Sequence, residues 1–139
     1  MQKNMKYFSV ASAVLAAAFV ATSAGSAQAA GARGLASCTA TGVAAYGDFR
    51  NWTNNYTDMH ITVSDEKSDG HSVAIRFISK DDNDKVKYWP WHSNSKGYNT
   101  FSSWDSYAST GSGGLSFIGV QGAVMEGSTV VRYCTDWAS

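Results

Sequence analysis

The run Met59-His60-Ile61-Thr62-Val63-Ser64, the tripeptide Ser68-Asp69-Gly70 and the run Ser72-Val73-Ala74-Ile75-Arg76-Phe77-Ile78-Ser79 decide the fold class. Side chains alternate between faces along a strand, so the first run sets Met59, Ile61 and Val63 against His60, Thr62 and Ser64, as a half-buried strand requires. The second run repeats the pattern, with Val73, Ile75 and Phe77 opposite Ala74, Arg76 and Ile78. An Asp-Gly pair tolerates the positive φ of a tight turn. Its place between two alternating runs predicts that they pair as a hairpin.

Downstream, the alternation continues. Asp81-Asp82-Asn83-Asp84 reads as a solvated hairpin tip, and it lacks the ordered ligand spacing and distant glutamate of a calcium loop. From Lys85 to His92, Val86, Tyr88 and Pro90 alternate with Lys87, Trp89 and Trp91. Pro90 has no N–H to give to a ladder, so this strand lies at an edge or ends there. Tyr98 to Tyr107 is open to a strand or a wrapping loop, and Gly111-Ser112-Gly113-Gly114 breaks the chain. Leu115 to Met125 is nearly continuous in apolar and small residues, Glu126-Gly127-Ser128 turns, and Thr129 to Cys134 forms the last strand. Beyond the N-terminal region no stretch carries a sustained helical stripe. The expectation is an all-β fold, a small antiparallel β-sandwich or barrel.

Working back to the N-terminus, Lys3 and Lys6 precede the 13-residue apolar run Phe8 to Val20, and small residues lead to Ala27-Gln28-Ala29. This is the pattern of a secretory signal peptide over residues 1–29, too short in its apolar part to span a bilayer. Residues 30–37 carry no pattern and read as a flexible arm, leaving one β domain over residues 38–139. After residue 29 the chain carries 9 Lys and Arg against 11 Asp and Glu, which excludes nucleic-acid binding through a strong positive field. The same 110 residues hold 15 aromatics, too many for a disordered chain, and are too few for a nucleotide-binding domain plus a substrate domain. The product is expected to be secreted and extracellular, with no membrane attachment after cleavage.

In that compartment the two cysteines, Cys38 and Cys134, are expected to form a disulfide that staples the terminal strands, worth about 4 kcal/mol by loop closure. Metal binding or redox chemistry would call for closer spacing or more ligands. His60, His71 and His92 fall in separate elements, and His60 and His71, on either side of the Asp69-Gly70 turn, read as surface positions of a hairpin. Neither a nucleophile elbow nor another catalytic pattern is present, so the chain reads as a non-enzyme without cofactor or metal. Asn51-Trp52-Thr53 and Asn55-Tyr56-Thr57 match the glycosylation sequon but matter only in a eukaryotic pathway, and the signal looks bacterial. Trp89 and Trp91 are expected on one strand face with Lys87, where flat indoles anchor a protein or stack on a sugar. The alternation leaves open whether that face is core or solvent, because both faces are apolar.

The short Ala/Gly-rich arm ending at Cys38, the strands around Val73-Ala74-Ile75-Arg76 and Val86-Lys87-Tyr88-Trp89-Pro90-Trp91-His92, and the closing Tyr133-Cys134 resemble small secreted proteins of filamentous actinobacteria. Among these the layout is most similar to the small adaptor subunit of umbrella toxin particles, over the whole mature chain. The resemblance implies a secreted antibacterial complex in which the adaptor links a lectin subunit to a large repeat-containing toxin subunit, its N-terminal arm inserted into a cleft of the lectin. Carried over, the inserting segment is Ala30, Gly31, Ala32, Arg33, Gly34, Leu35 and Ala36, whose small side chains suit a narrow groove. Two other classes remain: a protease inhibitor presenting Ser93 to Asn99 as a rigid loop, and a carbohydrate-binding or antimicrobial module using Trp89 and Trp91.

Overall fold

Two tight hairpins frame the molecule. β1 (Ala32–Ala40) returns into β2 (Val43–Trp52) through Thr41-Gly42, and β8 (Phe117–Glu126) into β9 (Thr129–Trp137) through Gly127-Ser128. Gly42 at φ 96° and Gly127 at φ 59° take the left-handed backbone conformations that such two-residue turns require. The computed structural model describes residues 31–139. The signal peptide expected over residues 1–29, and Ala30, lie outside the described residues.

The remaining strands are β3 (Tyr56–Asp65), β4 (Ser72–Lys80), β5 (Val86–Tyr88), β6 (His92–Asn94) and β7 (Phe101–Ser109). They form two antiparallel sheets, one in the order β1-β2-β3-β7 and the other with β5 and β6 along one edge of β4, followed by β8 and β9. The all-β expectation holds, and no helix occurs among the described residues. Phe49, Ile61, Val63, Val73, Ile75, Phe77 and Val120 fill the space between the sheets. Burying each side chain of this kind contributes about 1.5–3 kcal/mol. The sheets approach closely beside the disulfide: a Cβ added at Gly122 would lie 2.6 Å from the Ala45 Cβ.

The inward set Met59, Ile61, Val63 and the inward set Val73, Ile75, Phe77 are as the alternation predicts, but β3 and β4 do not pair. The two edges of β3 are taken by β2 and β7, and those of β4 by β8 and by β5 with β6. Residues 66–71 carry the chain from one sheet to the other, so the two apolar faces meet across the core. Gly70 does adopt positive φ, 77°, but within this crossover and not in a hairpin. Asp81 anchors the true hairpin between β4 and β5, its Oδ1 accepting the backbone N–H groups of Asn83 and Lys85 at 2.9 and 3.0 Å.

The flexible arm expected over residues 30–37 is instead the first strand from Ala32 onward. Gly34 and Ala36 point into the molecule, and a Cβ at Gly34 would sit 3.0 Å from the Ala138 Cβ and 3.3 Å from the Trp52 ring. The small residues therefore serve packing within the fold. β1 also closes the molecule against β9: Leu35 and Ser139 exchange backbone hydrogen bonds of 3.3 and 3.2 Å, and the Ser37 N–H donates to Asp136 Oδ2 at 2.9 Å. The Cys38–Cys134 disulfide locks this seam, with the two Cα atoms 5.7 Å apart. The result is two sheets curled into a half-barrel.

Candidate functional site

The chemistry of the molecule concentrates on the outer face of the second sheet, and its centre is Arg76. Alternation along β4 turns Val73, Ile75 and Phe77 inward, which sends Ala74, Arg76 and Ile78 outward. Register then sets Arg76 opposite Gln121 of β8, and Gln121 opposite Thr135 of β9. Arg76 Nε and Nη2 both donate to Gln121 Oε1, at 2.8 and 2.5 Å, and Gln121 Nε2 donates to Thr135 Oγ1 at 3.0 Å. The guanidinium also lies against two rings, 4.3 Å from the Tyr88 centroid and 4.2 Å from that of Trp91. Burial lowers the Arg76 pKa from its ordinary value, yet an arginine remains charged at any physiological pH. Among the described residues no carboxylate forms an ion pair with it.

Around this centre the face is aromatic. Tyr88 is 55% exposed, Phe117 48% and Tyr133 60%. Trp91 packs on a floor of Ala74, Ala123 and Met125. At the far end Lys80 Nζ lies 4.6 Å from the Phe117 centroid and 5.3 Å from that of Trp137, with Asp84 3.4 Å away. The small outward residues Ala74 and Ala123 of neighbouring strands leave the aromatic side chains standing above the sheet.

Trp89 and Trp91 do not share this face. Between the Ile78–Tyr88 and Ile75–His92 pairs, two residues of β4 oppose three of the edge, Trp89, Pro90 and Trp91. The extra residue shifts the alternation by one. Trp89 consequently turns inward, 5.3 Å from the Phe77 centroid, its Nε1 donating to Ser79 Oγ at 3.0 Å. Lys87 Nζ covers its ring at 4.0 Å. Trp91 turns outward onto Arg76. Tyr88, expected on the face opposite the tryptophans, stands beside Trp91, and its place follows from pairing with the outward Ile78.

Of the other residues expected to meet a partner, Gly31 and Ala32 open the described chain, Gly34 and Ala36 are packed inside, and Arg33 and Leu35 remain exposed on β1. Arg33 forms a two-pronged pair with Asp48, at 3.1 and 3.2 Å. These residues are not gathered with the aromatic face into one site. Sequence reasoning missed Arg76 and Tyr88. The available signal was a charged residue at the centre of an otherwise apolar strand, a position that demands local partners.

A second feature is an open cleft of about 740 Å³ at one end of the sandwich, lined by residues including Asp65, Asp69, His71, Tyr98 and Glu126. His71 Nδ1 lies 3.3 Å from Asp69 Oδ1 and its Nε2 3.7 Å from Glu126 Oε2. The backbone N–H of His71 donates to Asp69 at 3.1 Å and is the main cause holding that carboxyl below its ordinary pKa. Among the described residues no group of three or more His, Cys, Asp or Glu is arranged to hold a metal. His60 is engaged elsewhere, 2.8 Å from Asp105 on the outer face of the first sheet.

No protein family, curated protein or solved structure matches this chain.

Proposed function

We propose that this protein is a secreted, non-enzymatic binding subunit of an extracellular complex and that it docks through the outer face of its second sheet. The observation carrying this reading is the placement of Tyr88, Trp91 and Tyr133 on one exposed sheet face with Arg76, a cation that has no carboxylate partner among the described residues. Exposed apolar patches mark interaction surfaces, and Trp, Tyr and Arg supply most of the binding energy at protein interfaces. The Cys38–Cys134 bridge is consistent with an oxidising, extracellular setting. In a toxin complex of the kind the layout resembles, the subunit would link a lectin subunit to a large toxin subunit with this face as one contact. Residues 32–36 would take part as the surface of a strand, through Arg33 and Leu35, and not as an inserted arm.

The test is co-purification from culture supernatant with the tagged secreted protein and with a Trp91→Ala/Tyr133→Ala variant, read by mass spectrometry. A defined set of proteins should accompany the parent, and most of it should disappear with the variant. Identical recovery by both would end the claim for this face, and a cell-retained protein would end the claim of secretion.

One observation favours a protease-inhibitor reading as the alternative. The exposed loop at 95–99 is held rigidly by buried Asn94, whose Nδ2 donates to the Thr100 carbonyl at 3.2 Å and whose Oδ1 accepts the Lys96 N–H at 3.1 Å. Inhibition of common serine, cysteine or metalloproteases at stoichiometric concentration, lost on Tyr98→Gly, would select that reading.

A further inference from the structure

Arg76 has five N–H groups, and its neighbours account for only two. Nε and one hydrogen of Nη2 converge on the single oxygen of Gln121. Both hydrogens of Nη1 and the second of Nη2 have no hydrogen-bond partner among the described residues. Tyr88 and Trp91 each hold a ring against the guanidinium, and the end of the fork away from Gln121 is where its free N–H groups lie. Two parallel N–H groups at that end match the two oxygens of a carboxylate. Gln121 also fixes the side chain: it is itself buried, 6% exposed, and tied to Thr135. The fork is therefore oriented before anything binds, which reduces the ordering cost of association.

We propose that the free end of Arg76 receives an aspartate or glutamate side chain of a partner protein, flanked by apolar residues that cover Trp91, Tyr88 and Tyr133. The proposal rests on the docking role given above and names the chemistry of the partner's contact. Charge complementarity supplies its basis: the centre of the face holds a cation with no carboxylate partner among the described residues, and Asp84 at the far end is already beside Lys80. The surroundings select a protein over a sugar acid. A sugar ring brings a hydroxyl on most carbons, whereas Gln121, the polar side chain nearest the fork, is already bonded to Arg76 and to Thr135. Beyond the fork the face offers chiefly aromatic rings and the apolar floor of Ala74, Ala123 and Met125, with the Tyr88 and Tyr133 hydroxyls at exposed positions, which suits leucine-like neighbours of an acidic residue.

The experiment uses the mature protein and two capped tripeptides, Leu-Glu-Leu and Leu-Gln-Leu, followed by nuclear magnetic resonance of the Arg76 Nε–H and the Trp91 indole N–H. The glutamate peptide should shift both signals saturably, and the glutamine peptide should bind at least about tenfold more weakly, since only the charge and one acceptor differ. Arg76→Lys keeps the charge but loses the fork and should weaken binding by a similar factor, while Arg76→Met should abolish saturation. Equal responses to the two peptides would overturn the proposal, as would saturable binding by a folded Arg76→Met variant. If that variant does not fold, the comparison of peptides on the parent and on Arg76→Lys carries the test. Tighter binding of trigalacturonate than of Leu-Glu-Leu would replace the protein carboxylate by a carboxylated glycan and overturn the proposal as stated. Should the glutamate peptide leave Arg76 unshifted while Trp91→Ala/Tyr133→Ala still loses its partners, the docking face stands and the carboxylate contact falls. If neither effect is seen, both fall.

Discussion

Asp48 shows how one residue ties the outer surface of the first sheet together. Its two carboxylate oxygens accept the two prongs of Arg33, and Arg50 Nε lies 3.4 Å from Oδ2, the oxygen that also takes Arg33 Nη2. The Arg33 hydrogen bond is the main cause holding the Asp48 carboxyl below the ordinary carboxylate range. A carboxyl depressed on folding adds stability that is fully present above its unfolded pKa, about 4, and disappears as pH falls through the lower folded value. Asp48→Asn should therefore be less stable than the parent at pH 7 and should lose less on acidification to about pH 2.5. Urea unfolding at the two pH values measures this difference. A parallel loss in both proteins would show that Asp48 contributes nothing to the acid limb, leaving Asp58 and Asp69, which are also depressed, to account for it.

At the scale of the element, the edge of the second sheet shows how one added residue reassigns side chains. Pro90 interrupts the pairing, β5 and β6 run along the same side of β4, and Trp89 and Trp91 part to opposite faces. Their replacements should then separate stability from binding. Trp89→Ala removes a ring packed on Phe77 and its bond to Ser79, and should cost about 2–4 kcal/mol in urea unfolding, somewhat below the loss for a fully buried Trp because this one is half-buried. Trp91→Ala should cost less than half of that, while removing one wall of the Arg76 clamp. Equal losses of stability would mean that the two rings are equivalently packed, contrary to the shifted alternation. The sequence pattern identified a strand here and the edge position of Pro90. It could not identify the faces, because alternation is a parity rule and a bulge reverses the parity beyond it.

For the molecule as a whole, closure depends on the seam between β1 and β9. The disulfide spans 96 residues, so cutting it releases most of the chain from a constraint on the unfolded state. Replacing both cysteines, Cys38→Ala and Cys134→Ala together, should lower stability by about 2–5 kcal/mol with the strand content unchanged in circular dichroism. Hydrogen exchange should show where the molecule opens: the Leu35 and Ser139 amides, bonded only across the seam, should lose protection before the Val73 to Phe77 amides of the central strand. Uniform loss across both sets would indicate that the seam is not a separate opening unit.

The amino-acid sequence alone determined the strand class, the inward sets Met59, Ile61, Val63 and Val73, Ile75, Phe77, the Asp81 hairpin and the pairing of Cys38 with Cys134, because each follows from local period, turn chemistry or the count of thiols. It also contained β1, in the alternation of Gly34, Ala36 and Cys38 with Arg33, Leu35 and Ser37, but small residues give no hydrophobic contrast and that strand reads as an arm. Only the tertiary structure decided which strands are neighbours. β3 and β4 are consecutive and each has an apolar face, a pattern shared by a hairpin and by two strands facing each other across a core. The choice rests on the strands available to fill their edges, which come from distant parts of the chain. The Arg76 site belongs to the same category. Its partners Tyr88, Trp91, Gln121 and Thr135 lie 12 to 59 residues downstream and meet only through sheet register and one bulge, neither of which is encoded in the residues that carry the chemistry.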